Sequence, residues 1–162
     1  MRELTSADAP PPGPGDHRRG PDGIEAIVMY ADFTCPQCAT AAFGLRDSGA
    51  ATVFRHLAIS SRHRRAVPLA QAAEAAGAQG FFWEFHDSVF ADQGRLDDPH
   101  LWERCREIGI DLDRFEADRR DPGAAERVRQ QTAVALRAGA TGTPAFLVDG
   151  SLTTTLPGAP GD

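Results

Sequence analysis

The chain has 162 residues, 41% of them hydrophobic, enough for one domain with a sizeable core and too few for two ordinary ones. Its 17 basic side chains are all arginine, against 23 acidic ones, for a net charge of −6. The lack of lysine removes Schiff-base amines and P-loop phosphate binding, and no basic stretch carries the interleaved aromatics of a nucleic-acid surface.

Residues 1–22 read as a disordered lead-in, because the proline- and glycine-rich run from Pro10 to Gly15 cannot bury apolar surface. They hold no apolar run suited to a signal peptide, so a cytoplasmic location is the expectation. No stretch approaches the roughly 20 apolar residues of a membrane span. An ordered domain is expected over 23–156, and 157–162 reads as a flexible tail.

The first strand is expected within Ile24 to Phe33, where Ile27, Val28, Met29 and Tyr30 form an apolar, β-favouring run buried on both faces. Pro36 suits the first turn of a helix that continues through Ala39, Ala41 and Ala42 to Leu45 and stops at Asp47-Ser48-Gly49. Thr52 to Leu57 reads as a second strand, and the short helical crossover implies parallel pairing. From there a helical insert at about 62–138 is expected, with segments near 66–78, 81–91, 99–108, 112–119 and 123–138. Asp98 reads as an N-cap with Pro99 at the first helical position. Strand chemistry returns at Ala145-Phe146-Leu147-Val148, turns at Asp149-Gly150 and continues from Ser151 to Leu156.

The chemistry concentrates in Cys35-Pro36-Gln37-Cys38. Two cysteines three positions apart at the start of a helix bring their sulfurs within bonding reach. The unpaired N–H groups and dipole of the helix start favour the thiolate of Cys35. Zinc half-sites and structural cysteine pairs share this spacing. Structural zinc needs four ligands, however, and Cys105 is isolated while His56, His63 and His86 show no metal-ligand spacing. Cys105 falls on one helical face with Leu101 and Ile108, where a thiol behaves as a small buried hydrophobe. His86 and the two tryptophans read as packing residues. Arg62, His63, Arg64 and Arg65 read as a solvated loop in preference to a contact for an acidic substrate or a glutathione carboxylate.

Asp32-Phe33-Thr34-Cys35-Pro36-Gln37-Cys38, followed about a hundred residues later by Thr141-Gly142-Thr143-Pro144-Ala145-Phe146-Leu147-Val148-Asp149-Gly150, resembles the DsbA-like branch of the thioredoxin superfamily. Gly80-Phe81-Phe82-Trp83-Glu84-Phe85-His86-Asp87 and Gly109-Ile110-Asp111-Leu112-Asp113-Arg114-Phe115 resemble its helical insert, so the similarity covers about residues 16–150. The resemblance implies an α/β protein with a thioredoxin fold, an inserted helical domain, and a cis Thr143–Pro144 bond facing the cysteine pair. It implies a thiol-disulfide oxidoreductase working through a mixed disulfide, with Cys35 and Cys38 catalytic and Pro36, Gln37, Thr143 and Pro144 at the substrate. Protein or small-molecule thiols and disulfides would be its partners, and no cofactor or metal is needed beyond the two thiols.

Two departures qualify the resemblance. The family's buried acid, six positions before the first cysteine, is replaced by Met29, and Asp32 points to the opposite face of its strand. The family's final helix is also missing after Leu156, which would leave one sheet face open for a homodimer contact or a partner. These departures motivate an alternative: a redox-sensing or protein-binding thioredoxin-like module with weak turnover. The uncharged Pro36-Gln37 pair adds no cationic stabilisation to the thiolate, so a moderate potential is expected.

Overall fold

The computed structural model describes residues 8–157. In chain order it contains β1 (His17–Arg19), β2 (Ile27–Ala31), α1 (Pro36–Asp47), β3 (Thr52–His56), α2 (Ala66–Ala78), α3 (Phe82–Ala91), α4 (Asp98–Ile108), α5 (Leu112–Asp118), α6 (Pro122–Arg137), β4 (Ala145–Val148) and β5 (Ser151–Thr153). The strands form a five-stranded sheet in the order β1-β3-β2-β4-β5. β2 and β3 are parallel, from Ile27 opposite Thr52 to Ala31 opposite His56, with α1 as their crossover. The other pairs are antiparallel.

Strand alternation sorts the core into two layers. Met29, Ala31, Phe54 and Phe146 face the larger layer, with Phe33, Leu69, Phe82, Phe85, Phe90 and Phe115. Phe33 anchors it, its ring centroid 5.1 Å from Phe54 and 5.0 Å from Phe90. Such ring pairs add about 0.5–1.5 kcal/mol each beyond area burial. α2 enters this layer on alanine: Ala72, Ala73, Ala75 and Ala76 are all buried, so a strong helix former also permits close approach of its neighbours.

Val28, Tyr30, Val53 and Ala145 face the other side, where they pack with Ala135 and Ala138 near the end of α6 and with Ala9. The open sheet face expected from the sequence is therefore closed over its central strands. No helix follows α6 among the described residues.

The lead-in also differs from expectation. Residues 8–22 are not a disordered tail: His17–Arg19 add a strand to the free edge of β3, and Ala9 is buried with its N–H bonded to the Gly150 carbonyl at 3.1 Å. The cause is Arg55. Its guanidinium donates to the carbonyls of Pro10 and Pro11, to the Tyr30 hydroxyl and to both carboxylate oxygens of Asp16. Charge-assisted bonds to a buried arginine hold a segment whose composition alone suggests no structure. Residues 1–7, and 158–162 of the expected C-terminal tail, lie outside the described residues.

A part-buried ionic cluster fastens the same strand from the other side. Glu74 on α2 accepts from His56 at 2.8 Å and His17 at 2.7 Å, and pairs with Arg127 of α6 at 3.0 Å. Burial opposes the charge on Glu74, but the two histidine bonds outweigh it and hold the carboxyl well below the usual range. Burial pushes the His56 pKa down.

The helices of the insert lie within one residue of the expected segments at each end. The N-cap of α4 is Asp97, not Asp98. Asp98 occupies the first turn and turns its carboxylate to Arg65 and Arg119, each at 3.0 Å. Two arginine partners outcompete a single backbone N–H for that carboxylate.

Candidate active site

Cys35 is the N-cap of α1, in extended conformation at φ −89° and ψ 119°. Its sulfur accepts from the Cys38 N–H at 3.3 Å, the role a serine or aspartate oxygen plays at other helix starts. Pro36 takes the first helical position, where a missing N–H costs nothing. The turn before it is fixed by Asp32, a buried carboxylate accepting from the Thr34 N–H and hydroxyl, each at 2.8 Å. Asp32 is thus occupied in shaping the turn.

From the insert, Gln93 donates one side-chain amide to the carbonyls of Phe33 at 2.9 Å and Cys35 at 3.0 Å. On the opposite side the Thr143–Pro144 peptide bond is cis. The Cys35 thiol reaches the Thr143 carbonyl at 3.7 Å and the Gln37 side-chain oxygen at 3.4 Å.

The two sulfurs sit in contrasting environments. Cys35 is partly exposed, whereas Cys38 is fully buried in the larger core layer. Hydrogen bonding from the Cys38 thiol lowers the Cys35 pKa most, burial opposes it, and Thr143 and the N–H groups of Cys38 and Gln37 help bring it down to about 6. The Cys38 thiol is pushed far up, by its bond to Cys35 and by burial. The thiolate is therefore favoured at Cys35 and disfavoured at Cys38. No acid lies at position 29, where Met29 is completely buried.

Of the residues singled out from the sequence, Cys35, Cys38, Gln37, Thr143 and Pro144 meet at one place. Gln37, Thr143 and Pro144 line a cleft of about 550 Å³ with Thr40, Ala41, Phe146, Thr154 and Leu156. Pro36 is exposed on the helix start and is not part of that lining. Cys105 is buried, and burial raises its thiol to about 11. The loop 62–65 divides: Arg65 is tied to Asp98 and the Leu96 carbonyl, so it is no solvated side chain, whereas Arg62, His63 and Arg64 are exposed.

Residues 48–161 match the DSBA-like thioredoxin domain. The chain belongs to that family. A thioredoxin-like oxidoreductase from Silicibacter pomeroyi superposes with a TM-score of 0.75 at 28% identity, over 87% of this chain and 84% of that one. BdbD from Bacillus subtilis gives a TM-score of 0.73 at 17% identity, over 92% of this chain and 89% of its own, which shows the shared fold. In sequence, a Na(+)/H(+) antiporter NhaA 3 of Salinispora tropica is 38% identical over 141 residues, 83% of this chain and 22% of that protein. The NhaA antiporter of Herminiimonas arsenicoxydans is 40% identical over 142 residues, again 83% and 22%. The chain thus spans about a fifth of the length of these curated relatives. Among its described residues no helix is long and apolar enough to cross a membrane, and no group of three or more His, Cys, Asp or Glu side chains is arranged to hold a metal ion.

The fold of this DSBA-like domain is thioredoxin-like, with a mixed sheet and a helical insert between β3 and β4. Sequence reasoning missed Gln93, whose partner Cys35 lies 58 positions away, and the Glu74 cluster. A glutamine in a polar turn carries no local signal of what it will bond.

Proposed function

We propose that this domain exchanges thiols and disulfides through Cys35 and Cys38. The observation that carries the reading is a partly exposed Cys35 at the N-terminus of α1, its sulfur accepting from the Cys38 N–H at 3.3 Å, above a fully buried Cys38 and beside the cis Thr143–Pro144 bond. In the reducing direction the Cys35 thiolate attacks one sulfur of a substrate disulfide. A Cys35–substrate bond forms, the substrate S–S bond breaks, and the first substrate thiolate leaves to take a proton from water. Cys38 then loses its proton and attacks Cys35, forming the Cys35–Cys38 bond and releasing the second thiolate. The two electrons come from the dithiol, so no cofactor is required, and the oxidising direction is the reverse. The cleft walled by Gln37, Thr143 and Pro144 is the place for the substrate chain. The test is reduction of insulin by dithiothreitol: the protein accelerates it and Cys35→Ser does not. Equal rates for both proteins reject the proposal.

A second reading is favoured by Met29. With no carboxyl at position 29 to accept it and Asp32 engaged by Thr34, the Cys38 proton must leave through water, which slows resolution and suits a redox-responsive binding module. Met29→Glu then speeds release of the trapped substrate, measured by stopped flow on the mixed disulfide. An unchanged rate removes this reading.

A further inference from the structure

The loop between β3 and α2 comes back to the site. Arg62 donates to the Thr141 carbonyl at 3.4 Å, and its guanidinium is 3.9 Å from where a side chain on Gly142 would begin. Thr141 is two residues before Thr143, whose carbonyl is the 3.7 Å neighbour of the Cys35 sulfur. Arg62 therefore stands beside the loop that faces the nucleophile.

Its charge is uncommitted. Neither Arg62 nor Arg64 has a carboxylate partner among the described residues, while the adjoining Arg65 is consumed by Asp98. The cleft lining of Gln37, Thr40, Ala41, Thr143, Pro144, Phe146, Thr154 and Leu156 carries no charge. The exposed Arg62 thus sets a positive charge against the loop that carries Thr143 into a neutral cleft, with the exposed His63 and Arg64 next to it in sequence, on a chain whose net charge is −6. An acidic partner is repelled by the molecule at large and attracted here, which orients its approach.

We propose that Arg62 and Arg64 select acidic polypeptide segments next to the cysteine that exchanges with Cys35. This rests on the exchange reading above and names the substrate class of that site. Arginine suits the task, because its guanidinium stays charged and engages a carboxylate through two parallel bonds.

The test uses three disulfide-linked peptides that differ only in carrying Glu, Gln or Arg at two positions flanking the cystine. Single-turnover reduction by the full chain is compared with an uncharged small disulfide, 2-hydroxyethyl disulfide. The Glu peptide reacts about three- to tenfold faster than the Gln peptide and the Arg peptide slower, in line with one or two exposed ion pairs. About 0.5 M NaCl removes most of the preference. In Arg62→Glu/Arg64→Glu the order inverts, read as a ratio within one protein. Arg62→Glu alone gives the same direction if the double variant folds poorly. In parallel, fluorescence anisotropy follows the same peptides with serine in place of cysteine, which bind without reacting. A failure to reduce 2-hydroxyethyl disulfide overturns the exchange reading, while the binding arm still decides the charge preference. Normal reduction with equal binding and rates for all three peptides overturns the proposal alone. Loss of the wild-type protein to anionic lipid vesicles, with no preference among peptides, also overturns it in favour of a membrane surface.

Discussion

Replacing Cys38 by alanine removes the largest contribution to the acidity of Cys35 and leaves the helix intact, since alanine is the best helix former and the backbone N–H of position 38 stays in place. Cys35 titrates at about 6 in place of the ordinary 9.0. That depression corresponds to about 4 kcal/mol at 1.36 kcal/mol per pH unit, and solvent at this partly exposed sulfur trims it. A hydrogen bond to a charged acceptor contributes about 1.5–3 kcal/mol, so losing the Cys38 thiol should raise the Cys35 pKa by about one to two pH units, to about 7–8. Thr143 and the N–H groups of positions 37 and 38 keep it below 9.0. The assay is thiolate absorbance at 240 nm on the reduced protein, with the pH dependence of iodoacetamide labelling as a second readout. A variant that still titrates near 6 would refute the assignment to Cys38. A wild-type protein titrating near 9 would refute the whole electrostatic account of the site.

Three further outcomes are expected. At pH 7 iodoacetamide should label Cys35 alone in the folded reduced protein, because Cys105 is buried with its thiol raised to about 11; mass spectrometry locates the adduct. Arg55→Met strands Asp16 and frees the carbonyls of Pro10 and Pro11, and should cost about 3 kcal/mol in denaturant unfolding with faster amide exchange at His17–Arg19. Unchanged exchange there would show that strand pairing alone holds the segment. Acid should destabilise the fold in two stages. His56 is depressed below 6.5, so the unfolded chain takes up a proton first as pH falls through 6.5. Glu74 is depressed below 4.5, so its contribution is complete above 4.5 and is lost below it. Guanidinium midpoints at pH 7.5, 5.5 and 4 check this, and Glu74→Gln should flatten the lower stage.

The helices and strands were legible wherever the chain carried its own punctuation. Asp121-Pro122 begins α6, and Gly109 ends α4 in the left-handed conformation that its φ of 97° requires. The helix start at Cys35-Pro36 was legible from local turn chemistry, whereas the cis Thr143–Pro144 bond came only as what the family resemblance implies. What escaped was decided at long range. Arg55 reaches Asp16 across 39 positions, and nothing around Pro10 announces that a buried guanidinium will collect its carbonyl. α6 covers the second sheet face through small residues, Ala135 and Ala138, which read in sequence as ordinary helix filler. Arg62 and Arg65 are near-neighbours of one composition, and only the placement of Asp98 and Thr141 separates their roles.

The single amide of Gln93 bridges two carbonyls on either side of Thr34, so the helical insert holds the backbone of Cys35 directly. Any change in the Cys35 turn between dithiol and disulfide must alter the shielding of those two amide protons. The Gln93 side chain is therefore a resident spectroscopic reporter. Its paired resonances in a nitrogen–proton correlation spectrum should split into reduced and oxidised positions, giving the redox state of the domain without a label on either sulfur.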